Sequence, residues 1–164
     1  MTSLKTSIFA ATALLAISNF AAAGTIVPAA GYGFNTTTSS TATPLADGST
    51  LIHQTTHGIW IETTPEAGFP ADKVADCNST MLLSAEGAPI AYRSVCTAAD
   101  MDGDLLVATI GATKPDFSDC TWAMHGGTGK YAGVTGGGPC MSGGPITKDG
   151  NNSKFSWTGE WVLP

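Results

Sequence analysis

Residues 125–138 read His-Gly-Gly-Thr-Gly-Lys-Tyr-Ala-Gly-Val-Thr-Gly-Gly-Gly, half of them glycine, with one lysine near the centre. Two fold classes compete for such a stretch. A phosphate-binding loop would place the chain among α/β nucleotide proteins; a tight corner between strands would place it among all-β proteins. A phosphate loop has the form G-x-x-x-x-G-K-[ST] and opens a helix whose N-terminus faces the anion. Here Tyr131 follows Gly129-Lys130, and Met124 stands where the first glycine belongs. Residues 133–138 are a poor helix start, since glycine costs about 1 kcal/mol per helical position relative to alanine. The dinucleotide fingerprint needs a βαβ setting that this sequence lacks. What remains is a compact corner, in which glycines allow positive φ and close backbone approach and Tyr131 acts as an apolar peg.

The flanking sequence supports that reading. Leu51–Thr63 alternates with period two, Ile59 and Ile61 opposite Trp60 and Glu62. After a proline-broken connection over residues 64–75, strands are expected at Cys77–Ser84, Ile90–Thr97, Asp104–Ile110, Asp119–His125, Val134–Met141 and Ser153–Leu163. Between them lie turn-forming stretches at Ala85–Pro89, Ala98–Gly103 and Asp149–Asn152. On the last strand Phe155, Trp157 and Trp161 share one face, and Lys154, Ser156, Thr158 and Glu160 the other. Cys120, Trp122 and Met124 share a face in the same way. Short strands at this spacing predict an antiparallel sandwich or barrel. Residues 24–48, rich in Thr, Ser, Ala and Gly with Pro28 and Pro44, read mostly as loop with room for one early strand, which leaves 49–164 as the barrel domain.

The beginning of the chain reads as an address. Lys5 precedes the apolar run Ile8–Ile17, and Ala21-Ala22-Ala23 offers a cleavage site before Gly24. The run is short of the ~20 apolar residues that span a bilayer. The expectation is a signal peptide over 1–23 and an exported protein, periplasmic or extracellular, with no membrane segment after cleavage. Of the 164 residues, 141 then remain, enough for one domain with its own core. They carry 6 basic and 13 acidic side chains, a net charge of −7. That balance gives no electrostatic reason to bind nucleic acid or an anionic membrane surface.

Cys77, Cys96, Cys120 and Cys140 form an even set in an exported chain, as a disulfide framework would. No C-x-x-C knuckle points to zinc. Residues paired across a hairpin share a midpoint at its turn. Cys77 and Cys96 centre on residues 86–87, and Cys120 and Cys140 on Lys130, both in expected corners. Cys96 with Cys120 would centre on Ala108, in mid-strand. The pairing expected is therefore 77–96 and 120–140.

The segment Gly126-Gly-Thr-Gly-Lys-Tyr-Ala-Gly-Val-Thr-Gly136 resembles the G-G-T-G-K-[FY]-x-G-x-x-G stretch of the allene oxide cyclase barrel-like families, and dirigent proteins carry a similar one. In bacterial secreted members it follows a segment similar to Cys96-Thr-Ala-Ala-Asp100-Met-Asp102-Gly-Asp104, and a last strand similar to Thr158-Gly-Glu-Trp161 closes the domain. The resemblance covers roughly residues 77–164. It implies an up-and-down antiparallel β-barrel of about eight strands. It implies no single activity, because the superfamily includes cyclases, proteins that guide radical coupling and many members with no assigned role.

Candidate site residues are few. Asp100, Asp102 and Asp104 invite comparison with a calcium loop, but glycine falls at position four and Gly111 stands at position twelve, so the EF-hand is rejected. A looser cation site competes with a solvated turn. His53, His125 and an inward Arg93 are candidates for acid–base chemistry at a barrel mouth. His53 and His57 lie ~13 Å apart on a strand, too far to chelate one metal. No G-x-S-x-G elbow and no paired carboxylates stand out. Trp60, Trp122 and Trp157, with Phe155 and Trp161, either line a cavity for a flat apolar ligand or fill a small barrel, and the habit of ordinary cores favours filling. No cofactor is called for. The expected function is binding of a small apolar molecule, with self-association allowed. The alternatives are a cofactor-independent cyclase or isomerase in the same cavity, and a structural or interaction protein with a filled barrel.

Overall fold

The computed structural model describes residues 24–164. The expected signal peptide lies outside them. Eight strands run up and down in chain order: β1 (Thr25–Pro44), β2 (Thr50–Glu62), β3 (Asp72–Leu83), β4 (Pro89–Asp100), β5 (Leu105–Ala112), β6 (Thr121–Gly127), β7 (Thr135–Pro145) and β8 (Asn152–Leu163). Each is antiparallel to its neighbours, and β8 pairs back onto β1 to close the barrel. Closure leaves no sheet edge to cover. Among the described residues no helix is long and apolar enough to cross a membrane.

The segment expected as loop is instead the longest strand. β1 spans 20 residues and forms the seam with both β2 and β8. Its pattern misleads because the usual alternation is reversed. Small residues (Ala29, Gly31, Gly33) face the interior, while Tyr32 and Phe34 face solvent. The inner face of β1 is small because its direct partners on the neighbouring strand β8 are large. A Cβ on Gly31 would lie 2.2 Å from Cζ2 of Trp157, and one on Gly33 would lie 2.4 Å from Cζ of Phe155.

A second boundary moves as well. Ala98–Asp100, expected within a turn, continues β4, with Ala98 and Asp100 both buried. An aspartate can end a buried strand face when its carboxylate is fully hydrogen-bonded, and Asp100 meets that condition as described below.

The barrel is packed tightly at one end. There Trp161, Tyr131, Val134 and Leu106 are buried, and Phe69, from the β2–β3 connection, lies against Tyr131 (ring centroids 4.8 Å apart) and Trp161 (5.7 Å). Trp122 meets Trp161 edge-on at 5.0 Å and donates its indole N–H to the Thr158 carbonyl at 2.8 Å. The inward alternations expected for β6 and β8 are present.

Both expected disulfides are formed. Cys77 and Cys96 are direct cross-strand partners between β3 and β4, with Cα atoms 4.1 Å apart. Cys120 and Cys140 join the start of β6 to β7 across 5.0 Å. Such a framework suits a non-reducing compartment. Replacing Cys120 and Cys140 together by alanine is expected to lower the unfolding free energy by about 2–4 kcal/mol, since the bridge closes a loop of moderate length in the unfolded chain. Urea unfolding of the two forms measures this.

Candidate functional site: a closed-end clasp and an open cavity

The glycine segment of residues 125–138 is a corner, and its lysine is its centre. After β6 ends at Gly127, Thr128 pairs with Leu105 in both directions: its amide donates to the Leu105 carbonyl at 2.8 Å, and its hydroxyl accepts the Leu105 amide at 2.8 Å. One 3-10 turn, Gly129–Tyr131, follows before β7. Gly129 has φ +51°, and a Cβ there would lie 2.0 Å from Oδ1 of Asp104, so the corner closes only on glycine.

That approach brings Lys130 onto the β4–β5 turn. Its ammonium lies 2.7 Å from Asp100, 2.6 Å from Asp104 and 3.2 Å from Asp102. The cation that these three carboxylates meet is therefore a lysine of the same chain. The looser metal site contemplated for them is corrected accordingly: the space between their oxygens holds Nζ. Among the described residues no cluster of three or more His, Cys, Asp or Glu side chains is arranged to hold a metal ion.

Asp100 is the hub. Its side chain has no exposed surface. One oxygen accepts the amides of Asp102 (2.9 Å) and Asp104 (3.2 Å). The other accepts Lys130 and the hydroxyl of fully buried Tyr131 (3.0 Å). Burial opposes ionisation of Asp100, but the hydrogen bonds from Lys130, Asp102, Tyr131 and Asp104 outweigh it, so its carboxyl titrates below the ordinary range. Asp104 is lowered first by its hydrogen bond from the Lys130 ammonium. Lys130 is raised, chiefly by its bonds to Asp100 and Asp104. Tyr131 is raised by burial and then by donating to Asp100.

Above the packed end the barrel is hollow. A cavity of about 430 Å³ runs inward from the opposite end. Trp60, Trp122, Trp157 and Phe155 line it, with Leu106, Ala108 and Ile110 on the facing wall. Trp60 touches both Phe155 (5.8 Å) and Trp157 (6.0 Å), and the latter two stack at 5.6 Å. The filling role that core habit favoured is thus confined to Trp161 and its neighbours at the packed end. Trp60, Trp122 and Trp157 stand in the cavity wall.

The three residues expected at the mouth are not there. His53, Arg93 and His125 all point to the barrel's outer face and are exposed. His53 faces the Thr80 hydroxyl at 3.3 Å, and His125 meets that of Thr109 at 2.8 Å. The Arg93 guanidinium lies over its cross-strand partner Gly111, where no side chain competes for space. The reason is parity. Each has an inward neighbour (Gln54, Tyr92 and Met124, respectively), and alternate residues face opposite sides.

The polar groups that do face inward are different ones. Glu62, next to Trp60 on the inner face of β2, is buried. Its Oε1 accepts the Ala30 amide at 3.0 Å and the Thr64 hydroxyl. Its Oε2 is buried and finds no partner among the described residues; the same holds for Nε1 of Trp60 and of Trp161 and for Oδ1 of Asn35. Lys73, the β3 partner of Trp60, is also buried and lines the cavity. Phe117 lines the mouth from the β5–β6 connection, edge-on to Tyr92 at 5.7 Å, and holds a left-handed φ of +57°. For a bulky residue that conformation costs about 1–3 kcal/mol, as is common at ligand-holding positions. The sequence did carry one signal for Glu62, its period-two match with Trp60. Nothing local marked Lys73 or Phe117.

No known protein family, curated protein or solved structure matches the chain.

The clasp has a pH signature. Carboxyls held below their ordinary value add stability that is complete above about pH 4, where unfolded carboxylates are ionised, and lost as pH falls further. The raised Lys130 adds stability that is complete below about pH 10 and lost as pH rises through its folded value. Lys130→Met is therefore expected to lower the thermal midpoint clearly at pH 7. The gap from the wild type should narrow at pH 2.5. Scanning calorimetry at both pH values checks this.

Proposed function

We propose that this is an exported binding protein that holds one small, flat, largely apolar molecule inside its barrel. The observation that carries the reading is the aromatic-walled cavity of about 430 Å³. That volume falls within the range of small-molecule sites, which are mostly apolar with a few fixed polar groups. Trp60, Trp157 and Phe155 offer ring faces and edges, and Asn35, Gln54 and Lys73 supply polar side chains to the lining. A filled structural barrel has less support, because bulk is concentrated at one end only. Export draws on two features that agree: the leader pattern of residues 1–23 and the paired cysteines. The resemblance to the allene oxide cyclase barrel-like group fits a cavity-bearing barrel and is part of the same proposal.

A second reading, a cofactor-independent cyclase or isomerase, is favoured by one specific observation. Glu62 is part of the cavity lining and carries a buried carboxylate oxygen with no partner among the described residues, the kind of group that serves as a general base or a stabiliser of developing positive charge.

Binding is tested with 2-naphthylmethanol, a flat apolar probe, by isothermal titration of the chain beginning at Gly24. One equivalent is expected to bind. Ala108→Trp puts an indole into the cavity from an inward alanine and is expected to weaken binding by at least about tenfold, while overpacking costs about 1–3 kcal/mol of stability. If the wild type and Ala108→Trp take up the probe equally, the cavity is not the binding site.

A further inference from the structure

Lys73 is a lysine in an unusual place. Its inward position on β3 follows from the alternation that also buries Ala75, Cys77 and Ser79. The residue is 4 % exposed and lines the cavity near its packed end. Its ammonium would carry three donors. Among the described residues it donates one hydrogen bond, to the Pro70 carbonyl at 2.7 Å, and no carboxylate oxygen comes within 4.0 Å. The nearby acids are otherwise engaged. Asp100, its β4 partner, is held by Lys130, Tyr131 and two backbone amides. Glu62, its diagonal neighbour on β2, is bonded through Oε1 to Ala30 and Thr64.

A charged ammonium with one acceptor in an apolar chamber is costly, whereas a neutral amine needs only what Pro70 supplies. Burial accordingly lowers the Lys73 pKa, while the charge of Glu62, followed by those of Asp100 and Asp72, opposes the shift. A desolvated lysine in a hydrophobic pocket is an activated nucleophile toward carbonyl carbon.

We propose that Lys73 is a covalent attachment site, forming an imine with a small apolar aldehyde that enters the barrel. The inference rests on the cavity reading above and adds the ligand's reactive group. The Nζ lone pair attacks the carbonyl carbon to give a carbinolamine. The carbinolamine oxygen then leaves as water, taking the two hydrogens that the amine gives up, and a C=N bond remains. No oxidant, reductant or cofactor is consumed.

The experiment pairs 2-naphthaldehyde with 2-naphthylmethanol, the same ring system without the electrophile. The chain is incubated with the aldehyde at pH 7, reduced with cyanoborohydride, weighed intact and mapped by peptide mass spectrometry. One naphthylmethyl group per chain is expected, at Lys73, with at least about tenfold less at exposed Lys114 and Lys148. Lys73→Arg, which retains a long cationic side chain but forms no imine under these conditions, is expected to lose that adduct. Lys73→Met serves the same purpose if the arginine variant unfolds. If the alcohol binds but no adduct forms at Lys73 beyond the exposed-lysine level, the attachment proposal is overturned and the cavity reading stands. If the alcohol does not bind and the aldehyde leaves Lys73 unmodified, both fall. If labelling is equal at all lysines, the attachment proposal fails.

Discussion

The barrel's packed end depends on one carboxylate. Asp100 lies at the end of β4 with no exposed surface and gathers four hydrogen bonds from two separate segments: the β4–β5 turn and the β6–β7 corner. Without those donors an ionised aspartate could not stay there, since an unpaired buried charge costs several kcal/mol. With them, β4 runs on to Asp100, the glycine corner is pinned through Lys130, and Tyr131 is drawn into the core with its hydroxyl satisfied. Lys130 plays the part that a bound cation plays in other acidic turns. The glycines serve the same end, because Gly129 leaves room for the Asp104 carboxylate where any side chain would collide with it.

Once that end is closed, the distribution of bulk decides what the barrel contains. Phe69, Tyr131 and Trp161 pack together and fill the space, and Trp122 meets Trp161 edge-on at the cavity floor. Further up, the wall is uneven: Gly31 and Gly33 on β1 lie beneath the rings of Trp157 and Phe155. The rings therefore lie against the β1 backbone and leave the centre open. A barrel of eight strands is just wide enough to be filled by its own side chains or to hold one small ligand. Here the small residues on β1 leave the interior hollow. Asn35, Trp60 and Glu62, each with a polar atom that finds no partner among the described residues, line this region together with Lys73, and that coincidence gives the cavity its chemical character.

Parity separates what was legible from what was not. The alternation of Phe155, Trp157 and Trp161, and that of Cys120, Trp122 and Met124, could be read directly because large apolar residues mark the inner face. The disulfide pairing could be read because hairpin midpoints need only the turn positions. On β1 the same rule fails, since the inner face is glycine and alanine and the outer face carries Tyr32 and Phe34. His53, Arg93 and His125 were chosen for their chemistry without a pattern to assign their face, and all three point outward. Lys73 was passed over because a lysine in a strand is ordinarily a surface residue.

The sequence by itself determined the all-β class, the strand series from Leu51 onward, the two cysteine pairs and the rejection of a phosphate loop. Each of these depends on local spacing and turn chemistry, which a linear chain displays. Only the tertiary structure decided that β1 closes the barrel, that Lys130 answers three aspartates and that the interior is open above a packed floor. Those outcomes depend on which residues distant in the chain meet, Gly31 with Trp157 between β1 and β8 and Lys130 with Asp100 at the packed end, over separations of 126 and 30 residues. No local pattern records a contact at that distance, because the geometry that makes it exists only once β8 has returned to β1.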